Sequence, residues 1–315
     1  MEKARFKWVL RERNRKIAAK TEVFTEQQAR RVRSFHSSFK EYSPTPLIEL
    51  TSLAQHLGIK NLFVKDESYR FGLNAFKVLG GSFAIGSYIA NELGEDIDAL
   101  PYMRLVSDEV RSLLGSKTFI TTTDGNHGRG VAWTANRLKQ QAIVYMPQGS
   151  AAERLANIRA EGAQAEITDM NYDDTVRYTS ELAQKNGWII VQDTAWDGYT
   201  RIPLWIMQGY MTMALEAYEQ LPVKPTHIFL QAGVGSLAGS VQGFFADIYG
   251  SSCPLTFIVE PKGADCLYQT AAANDGSLHS VTGRLETIMA GLACGEPNSI
   301  AWGILGNLSD GFFSC

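Results

Sequence analysis

The sequence is poor in cysteine and has no closely spaced pairs of metal-binding residues. Its four cysteines, Cys253, Cys266, Cys294 and Cys315, are too few and too far apart in 315 residues for a disulfide framework, so we expect thiols. Neither a CxxC pair nor an HExxH segment occurs, and no metal site is expected, because zinc needs ligands at such spacings. Without a disulfide framework, the cytoplasm is the expected location.

The sequence also lacks long apolar runs and any concentration of charge of one sign. No uninterrupted apolar run reaches the roughly 18 residues that a membrane helix needs. The first residues, MEKARFKWVLRERNRK, are charged throughout and do not resemble a secretory signal. Lys and Arg (30) nearly balance Asp and Glu (33), and the basic residues form no dense tract. Neither a membrane nor a nucleic acid is therefore expected as a partner.

What the sequence does contain is a regular alternation of apolar runs with helical patterns. Strands are predicted over 62–67, 118–123, 141–147, 163–168, 188–193 and 255–261. Helices are predicted over 25–40, 80–93, 127–139, 151–162 and 172–187, the first of them capped by Thr25. Strands separated by helices of about a dozen residues form βαβ units. The predicted fold class is therefore α/β, with a mostly parallel sheet.

Three loops follow predicted strands, at the sheet edge where ligands bind in open α/β folds. The first, FGLNAFKVLGG, contains Lys77 just before a helix that begins with glycines. Partial burial would lower the pKa of Lys77, and its amine would then condense readily with a carbonyl group. The alternative is that Lys77 ends a loop in solvent, as most lysines do.

The second loop, TTTDGNHGRG, combines glycines with polar side chains. Asn126 offers both a hydrogen-bond donor and an acceptor. Asp124 would be a base if it is shielded from water, because desolvation raises the pKa of a carboxyl group. Alternatively, Asp124 caps the helix that follows. We expect His127 to be structural rather than catalytic.

The third loop, QAGVGSLAG, lies between a predicted strand and a predicted helix. Exposed backbone amides at a helix N-terminus form a binding site for phosphate. The glycines also resemble a dinucleotide-binding fingerprint, which leaves a nucleotide-binding oxidoreductase as an alternative. No convincing ribose-binding acid follows the loop, however, and no GxxxxGK[ST] segment occurs.

The order of these loops resembles that of the fold-type II pyridoxal-phosphate (PLP) enzymes, the group of tryptophan synthase β and threonine deaminase. Five ordered matches carry the resemblance: Thr45-Pro46-Leu47, Val64-Lys65-Asp66-Glu67, Phe76-Lys77, Gly125-Asn126-His127 and Gly233 to Gly239. Within that group the chain most resembles the diaminopropionate ammonia-lyases. The segments KDESYRFGLNAFKVLGG, TTTDGNHGRGVAW, VQDTAWDGYT, WIMQGY and IMAGLACGEPN carry this closer likeness, which extends over most of the chain from about residue 40.

The resemblance implies a role for each candidate residue. Lys77 would form a Schiff base with PLP and then act as a base, and Asn126 would hydrogen-bond the phenolic oxygen of the cofactor. Asp124 would be a second base on the opposite side of the substrate. Asp193 would hold the distal ammonium of the substrate. The backbone amides of the third loop would bind the phosphate, through Gly233, Val234, Gly235, Ser236 and Leu237.

The implied reaction is the PLP-dependent α,β-elimination of D- or L-2,3-diaminopropionate to pyruvate and ammonia. An amine leaves poorly unless it is protonated, so carboxylates near Cβ suit this substrate better than one with a hydroxyl leaving group. A serine- or threonine-type ammonia-lyase of the same fold stays open as an alternative, as does an inactive PLP-binding remnant. The resemblance also implies a homodimer that acts on a small amino acid.

The resemblance further implies two domains with twisted, mostly parallel sheets flanked by helices. The large PLP-binding domain would comprise residues 1–84 and 206–315, and the small α/β domain residues 85–205. The chain ends at SDGFFSC, where members of the family continue. We therefore expect the large domain to lack its C-terminal part.

Overall fold

The computed structural model describes residues 6–12, 21–123, 125–283 and 285–315. Its strands are β1 (Lys7–Leu10), β2 (Leu47–Glu49), β3 (Phe63–Lys65), β4 (Thr118–Thr122), β5 (Gln141–Met146), β6 (Gln164–Ile167), β7 (Ile189–Ile190), β8 (His227–Gln231), β9 (Leu255–Glu260) and β10 (Gly311–Ser314). Its α-helices are α1 (Glu26–Ser37), α2 (Thr51–Leu57), α3 (Lys77–Leu93), α4 (Tyr102–Leu105), α5 (Asp108–Leu114), α6 (Asn126–Arg137), α7 (Ala152–Ala160), α8 (Tyr172–Asn186), α9 (Arg201–Gln220), α10 (Ser236–Tyr249), α11 (Cys266–Ala273) and α12 (Ser299–Leu308).

The strands form two four-stranded sheets and one ribbon. One sheet has the order β6-β5-β4-β7 and is parallel throughout. The other has the order β1-β10-β9-β8, in which β8, β9 and β10 are parallel and β1 is antiparallel. The ribbon pairs β2 with β3 in antiparallel fashion. The predicted α/β class with mostly parallel sheets is confirmed.

The observed elements differ from the predicted ones mainly at their ends. Thr25 caps α1 as predicted, because its hydroxyl accepts a hydrogen bond from the amide of Gln28 at 3.2 Å. The helix predicted over 80–93 begins earlier, so that Lys77 is its first residue rather than the residue before it. The strand predicted over 188–193 is only β7, because the hydroxyl of Tyr199 takes the backbone hydrogen bonds of Ile190 and Gln192.

Helix α3 lies against α6 and α9 at glycines. A side chain at Gly209 of α9 would lie 2.8 Å from the Cα of Gly80, and one at Gly130 of α6 would lie 2.9 Å from the Cα of Val78. Both distances are shorter than a van der Waals contact, so the three backbones approach closely only because these residues have no Cβ. This packing fixes the first turn of α3, which carries Lys77.

A buried ionic network joins the β2–β3 ribbon to α9. Glu216 of α9 receives hydrogen bonds at 2.8 Å from both terminal nitrogens of Arg70, whose side chain is completely buried. Lys65 lies 2.8 Å from the same carboxylate, and the amide of Thr45 donates to it at 3.1 Å. Glu67 binds the other side of Arg70 at 2.8 Å. Two of the five matched segments, TPL and VKDE, therefore contribute to this network.

The predicted domain boundaries separate the strands of the two larger sheets, although both boundaries fall inside helices, α3 and α9. Strands β4 to β7 all fall within residues 85–205, and the remaining strands fall outside that range. The division into two domains itself stays a prediction. Within the residues that the structure describes, no helix is both long enough and apolar enough to cross a membrane.

Candidate active site

Lys77, the first residue of α3, forms an ion pair with a carboxylate. Its Nζ donates a hydrogen bond to Oδ2 of Asp193, which follows β7. The side chain of Lys77 is 21% exposed and that of Asp193 is 8% exposed. Lys77 therefore does not end a loop in solvent, and the structure brings together two of the three residues that are predicted to be catalytic.

The ion pair determines the protonation of both partners. Burial by itself would lower the pKa of Lys77, but the negative charge of Asp193 outweighs burial, and the pKa is raised above its ordinary value. Burial by itself would raise the pKa of Asp193, but the charges of Lys77 and His127 lower it. The prediction of a lowered lysine pKa is wrong, because it considered burial without a buried counter-charge. Lys77 becomes a nucleophile or a base only after it gives up this proton.

Hydrogen bonds connect Asp193 to the glycine loop that precedes α10. The hydroxyl of Ser236, the first residue of α10, donates to the backbone oxygen of Asp193 at 2.6 Å. The side-chain amide of Asn298, the N-cap of α12, donates to the hydroxyl of Ser236 at 2.8 Å and to the same Asp193 oxygen at 3.3 Å. Lys77 and the start of α10 are thus linked through one residue, Asp193.

The glycine loop leaves backbone amides available at the start of α10. Gly235, the N-cap, has a φ of +97°, which a residue with a side chain rarely adopts, and no side chain of the described residues caps the helix. A Cβ at Gly233 would lie 3.1 Å from Sγ of Cys294, so the backbone there is closely covered. Val234 and Leu237 are buried. A helix N-terminus with uncapped amides and a glycine turn suits a phosphate group.

The loop after β4 contributes the remaining predicted residues. Asp124 lies outside the described residues, so its role stays a prediction. Asn126 is exposed as the first residue of α6, and the N-cap of that helix is Gly125 rather than Asp124. His127 is buried and donates from Nε2 to the backbone oxygen of Val191 at 2.7 Å, which agrees with a structural role.

Gln192 holds the loop after β7 against the end of β4. Its side-chain oxygen accepts hydrogen bonds from the hydroxyl of Thr121 at 3.0 Å and from the amide of Thr122 at 3.1 Å. Its side-chain amide donates to the hydroxyl of Tyr172 at 2.8 Å. Because Gln192 is buried, these bonds keep Asp193 in a fixed relation to the loop that contains Asn126.

A cavity of about 270 Å³ lies beside this cluster. Gln192 and Thr194, the two neighbours of Asp193 in sequence, line it together with Val234 of the glycine loop, Cys294 and Glu296. The cavity borders the loop after β7 and the glycine loop, so it offers room for a small ligand next to the ion pair rather than around it.

Several residues near the Lys77–Asp193 ion pair could not be assigned a chemical role from the sequence. Gln192, Tyr210, Cys294 and Asn298 all lie in segments that resemble the family, but nothing local assigns them a task. The four cysteines form no disulfide. In the part of the chain that the structure describes, no three His, Cys, Asp or Glu residues are arranged to hold a metal ion.

Comparison with known proteins agrees with this geometry. The family model of the pyridoxal-phosphate dependent enzymes matches residues 39–315. The diaminopropionate ammonia-lyase of Salmonella typhimurium (strain LT2) is 53% identical over 287 residues, which are 90% of this chain and 71% of that protein. The chain belongs to the diaminopropionate ammonia-lyase family. The enzyme of Escherichia coli K12 is 52% identical over 93% of this chain and 73% of its own length.

Solved structures give the same result. The selenomethionine holo form of the Escherichia coli diaminopropionate ammonia-lyase has a TM-score of 0.90 at 49% identity, over 99% of this chain and 77% of that one. Its complex with an aminoacrylate-PLP azomethine reaction intermediate has a TM-score of 0.87 at 48% identity, over 99% and 76%. A threonine deaminase of Solanum lycopersicum, with a TM-score of 0.75 at 21% identity, shares the fold. These findings confirm the fold-type II prediction and give no support to the nucleotide-binding oxidoreductase.

Pyridoxal phosphate is the cofactor of this family, and the residues of the site fit it. Lys77 supplies a largely buried amine for the aldehyde. The start of α10 supplies amides for the phosphate, next to a glycine backbone so closely covered that a Cβ at Gly233 would come within 3.1 Å of Sγ of Cys294. Both features lie against Asp193.

Proposed function

We propose that this chain eliminates ammonia from D- or L-2,3-diaminopropionate and so yields pyruvate and a second ammonia. The observation that carries the proposal is the largely buried ion pair of Lys77 and Asp193, linked through Ser236 to the start of α10. When bound, the cofactor withdraws electrons from Cα of the substrate, which allows the α-proton and the group on Cβ to leave.

The residues of the chain have separate tasks in this proposal. Lys77 holds the cofactor through its amine and, once the substrate amine replaces it, moves the proton at Cα. The amides of Gly233 to Leu237 bind the phosphate, and Asn126 binds the phenolic oxygen. Asp124 is a second base on the opposite side of the substrate, which allows both enantiomers to react.

Asp193 is suited to a substrate with an amine on Cβ. Its pKa is lowered, so the carboxylate is charged, and it already binds an ammonium, that of Lys77. A substrate ammonium in the same place would stay protonated, and a protonated amine leaves as neutral ammonia when the Cβ–N bond breaks. A hydroxyl leaving group has no positive charge for Asp193 to stabilise.

The domain arrangement, the oligomeric state, the location and the partners are proposed on the same basis. The large domain (1–84 and 206–315) contributes Lys77 and the glycine loop, and the small domain (85–205) contributes Asn126 and Asp193, so the site lies between them. We further propose a homodimer that acts in the cytoplasm on a small amino acid, with neither a nucleic acid nor a membrane as partner.

Borohydride reduction and peptide mapping test the cofactor part of the proposal. After incubation with PLP, wild type and the control Lys60→Ala should carry the reduced cofactor on Lys77, since Lys60 is exposed and outside the site. Lys77→Ala should carry none. Cofactor fixed elsewhere in wild type would contradict the proposal.

Turnover of different substrates tests the reaction. Wild type should release pyruvate faster from both diaminopropionate enantiomers than from D- or L-serine. Asp193→Asn should lose at least about a hundredfold in diaminopropionate turnover and much less with serine, because only the amine needs the carboxylate. Faster release from serine would favour the serine-type ammonia-lyase. Cofactor on Lys77 without any turnover would favour the inactive remnant.

A further inference from the structure

Tyr210 of α9 is a buried phenol for which the described residues provide no hydrogen-bond partner. Its side chain is 0% exposed, and among the described residues nothing accepts from or donates to its hydroxyl. A buried hydroxyl that makes no hydrogen bond costs free energy. Such a group in a folded protein points to a partner that reaches it in another state of the site.

The ring of Tyr210 lies against the turn of α3 that carries Lys77. It meets the ring of Phe76 edge-on, with the centroids 5.1 Å apart. A Cβ at Gly80 would lie 2.7 Å from Cε1 of the ring and 2.9 Å from Cζ, the carbon that bears the hydroxyl. Phe76 directly precedes Lys77, and Gly80 shares a helix face with it. The ring therefore packs against the first turn of α3, which carries Lys77.

Electrostatics agrees with this proximity. Burial raises the pKa of Tyr210, so the phenol is neutral at physiological pH and does not act as a base. A negative charge on Tyr210 would raise the pKa of Lys77, and the positive charge of Lys77 in return lowers the pKa of Tyr210, although burial outweighs it. A neutral phenol has oxygen lone pairs that accept a hydrogen bond from an amine.

We propose that Tyr210 is a positioning residue for Lys77, whose amine donates a hydrogen bond to the phenolic oxygen once Asp193 binds the substrate ammonium. This inference rests on the proposed function, in which the substrate takes Asp193 away from Lys77. While Lys77 pairs with Asp193, the hydroxyl has no partner. Lys77 is released as a neutral amine when the substrate amine takes its place on the cofactor; Tyr210 then accepts one N–H of that amine and leaves the nitrogen lone pair directed at the substrate.

A double-mutant cycle tests this exchange without any turnover. Asp193→Asn imitates the loss of Asp193 to the substrate, and the readout is the pH at which half of the chain carries borohydride-reducible cofactor on Lys77. Tyr210→Phe alone should leave this midpoint unchanged. In the Asp193→Asn background it should lower the midpoint by about half a unit to one unit, because the ammonium loses its remaining acceptor. Equal midpoints for Asp193→Asn and the double variant would overturn the proposal.

Kinetics and stability give a second test, in case Asp193→Asn does not fold. Tyr210→Phe should lower kcat for diaminopropionate roughly tenfold and leave KM within about twofold, because the contact forms only after substrate binding. Its unfolding temperature without cofactor should not fall, since only an unpartnered hydroxyl is removed. The control is Tyr218→Phe, which lies on the same helix and packs on Phe244 and Tyr249. A destabilised Tyr210→Phe with unchanged kcat would mean that Tyr210 is a purely structural residue.

If wild type itself does not turn over diaminopropionate, the proposed function fails. The pH midpoints of cofactor attachment to Lys77 still decide the role of Tyr210 in that case.

Discussion

Replacing Glu216 with glutamine should destabilise the fold far more than the same replacement at Glu219, three residues later on α9. The side chain of Glu216 is 1% exposed and pairs with Arg70, which is 0% exposed, and with Lys65, which is 10% exposed. The side chain of Glu219 is 37% exposed and pairs with Arg30 and Arg33 at the surface. The two positions therefore compare a buried with an exposed carboxylate on one helix.

The size of the effect follows from burial. Removing one partner of a buried ion pair costs about 3–5 kcal/mol, because the other charge is left without compensation. Glu67 still binds Arg70 at 2.8 Å in the variant, and glutamine still accepts a hydrogen bond, so we expect about 3 kcal/mol for Glu216→Gln. For Glu219→Gln we expect at most about 1 kcal/mol, as for other surface pairs.

The pH dependence gives an independent check. Burial by itself would raise the pKa of Glu216, but Arg70 and Lys65 outweigh burial and lower it below the ordinary 4.5. A carboxylate with a lowered pKa contributes stability that is complete above its ordinary value and is lost as the pH falls further. As the pH falls, wild type should therefore lose this part of its stability, which Glu216→Gln lacks at every pH. The difference between their free energies of unfolding should become smaller in acid.

Urea unfolding followed by circular dichroism measures both quantities. The free energies of unfolding of wild type and the two variants are compared near neutral pH and about one unit below the ordinary carboxylate pKa. The reasoning fails if the two variants differ by less than about 0.5 kcal/mol at neutral pH. It also fails if the gap between Glu216→Gln and wild type stays constant in acid.

Two further predictions concern the packing around α3. Burial lowers the pKa of His36 from 6.5 to about 3, and its Nε2 donates to the backbone oxygen of Leu79 at 3.0 Å. The stability that neutral His36 contributes is lost as the pH falls below 6.5. Between pH 6.5 and 5, the free energy of unfolding measured in urea should therefore fall by about 2 kcal/mol less for His36→Gln than for wild type. Equal falls for the two proteins would contradict this. Gly209→Ala should cost about 1–3 kcal/mol in urea unfolding and reduce cofactor attachment to Lys77, because the new Cβ meets the backbone of α3. Gly303→Ala, also within a helix but with nothing within 4 Å, is the control, and equal stability of the two alanine variants would refute the packing argument.

Much of the fold could be predicted because its signals are local. Apolar runs such as TFITTT and QAIVYM alternate with helical patterns, and they become β4 and β5 of a parallel sheet. The cap of α1 at Thr25 depends on a side chain and an amide only three residues apart. The loops with Lys77, Asn126 and Gly233 could be found for a similar reason, since glycines and polar residues after a strand mark a ligand-binding edge.

The sequence by itself therefore determined the fold class, the order of the loops and the family. Only the tertiary structure decided which residues of those loops are in contact and how each contact changes their protonation. Lys77 and Asp193 are 116 residues apart, and Arg70 and Glu216 are 146 apart, yet each pair is in contact, the first partly and the second completely shielded from water. The pKa of Lys77 is raised rather than lowered because of such a neighbour, and the buried hydroxyl of Tyr210 finds no hydrogen-bond partner among the described residues. Charge interactions depend on distance and on the exclusion of water, and both arise only when distant segments pack together.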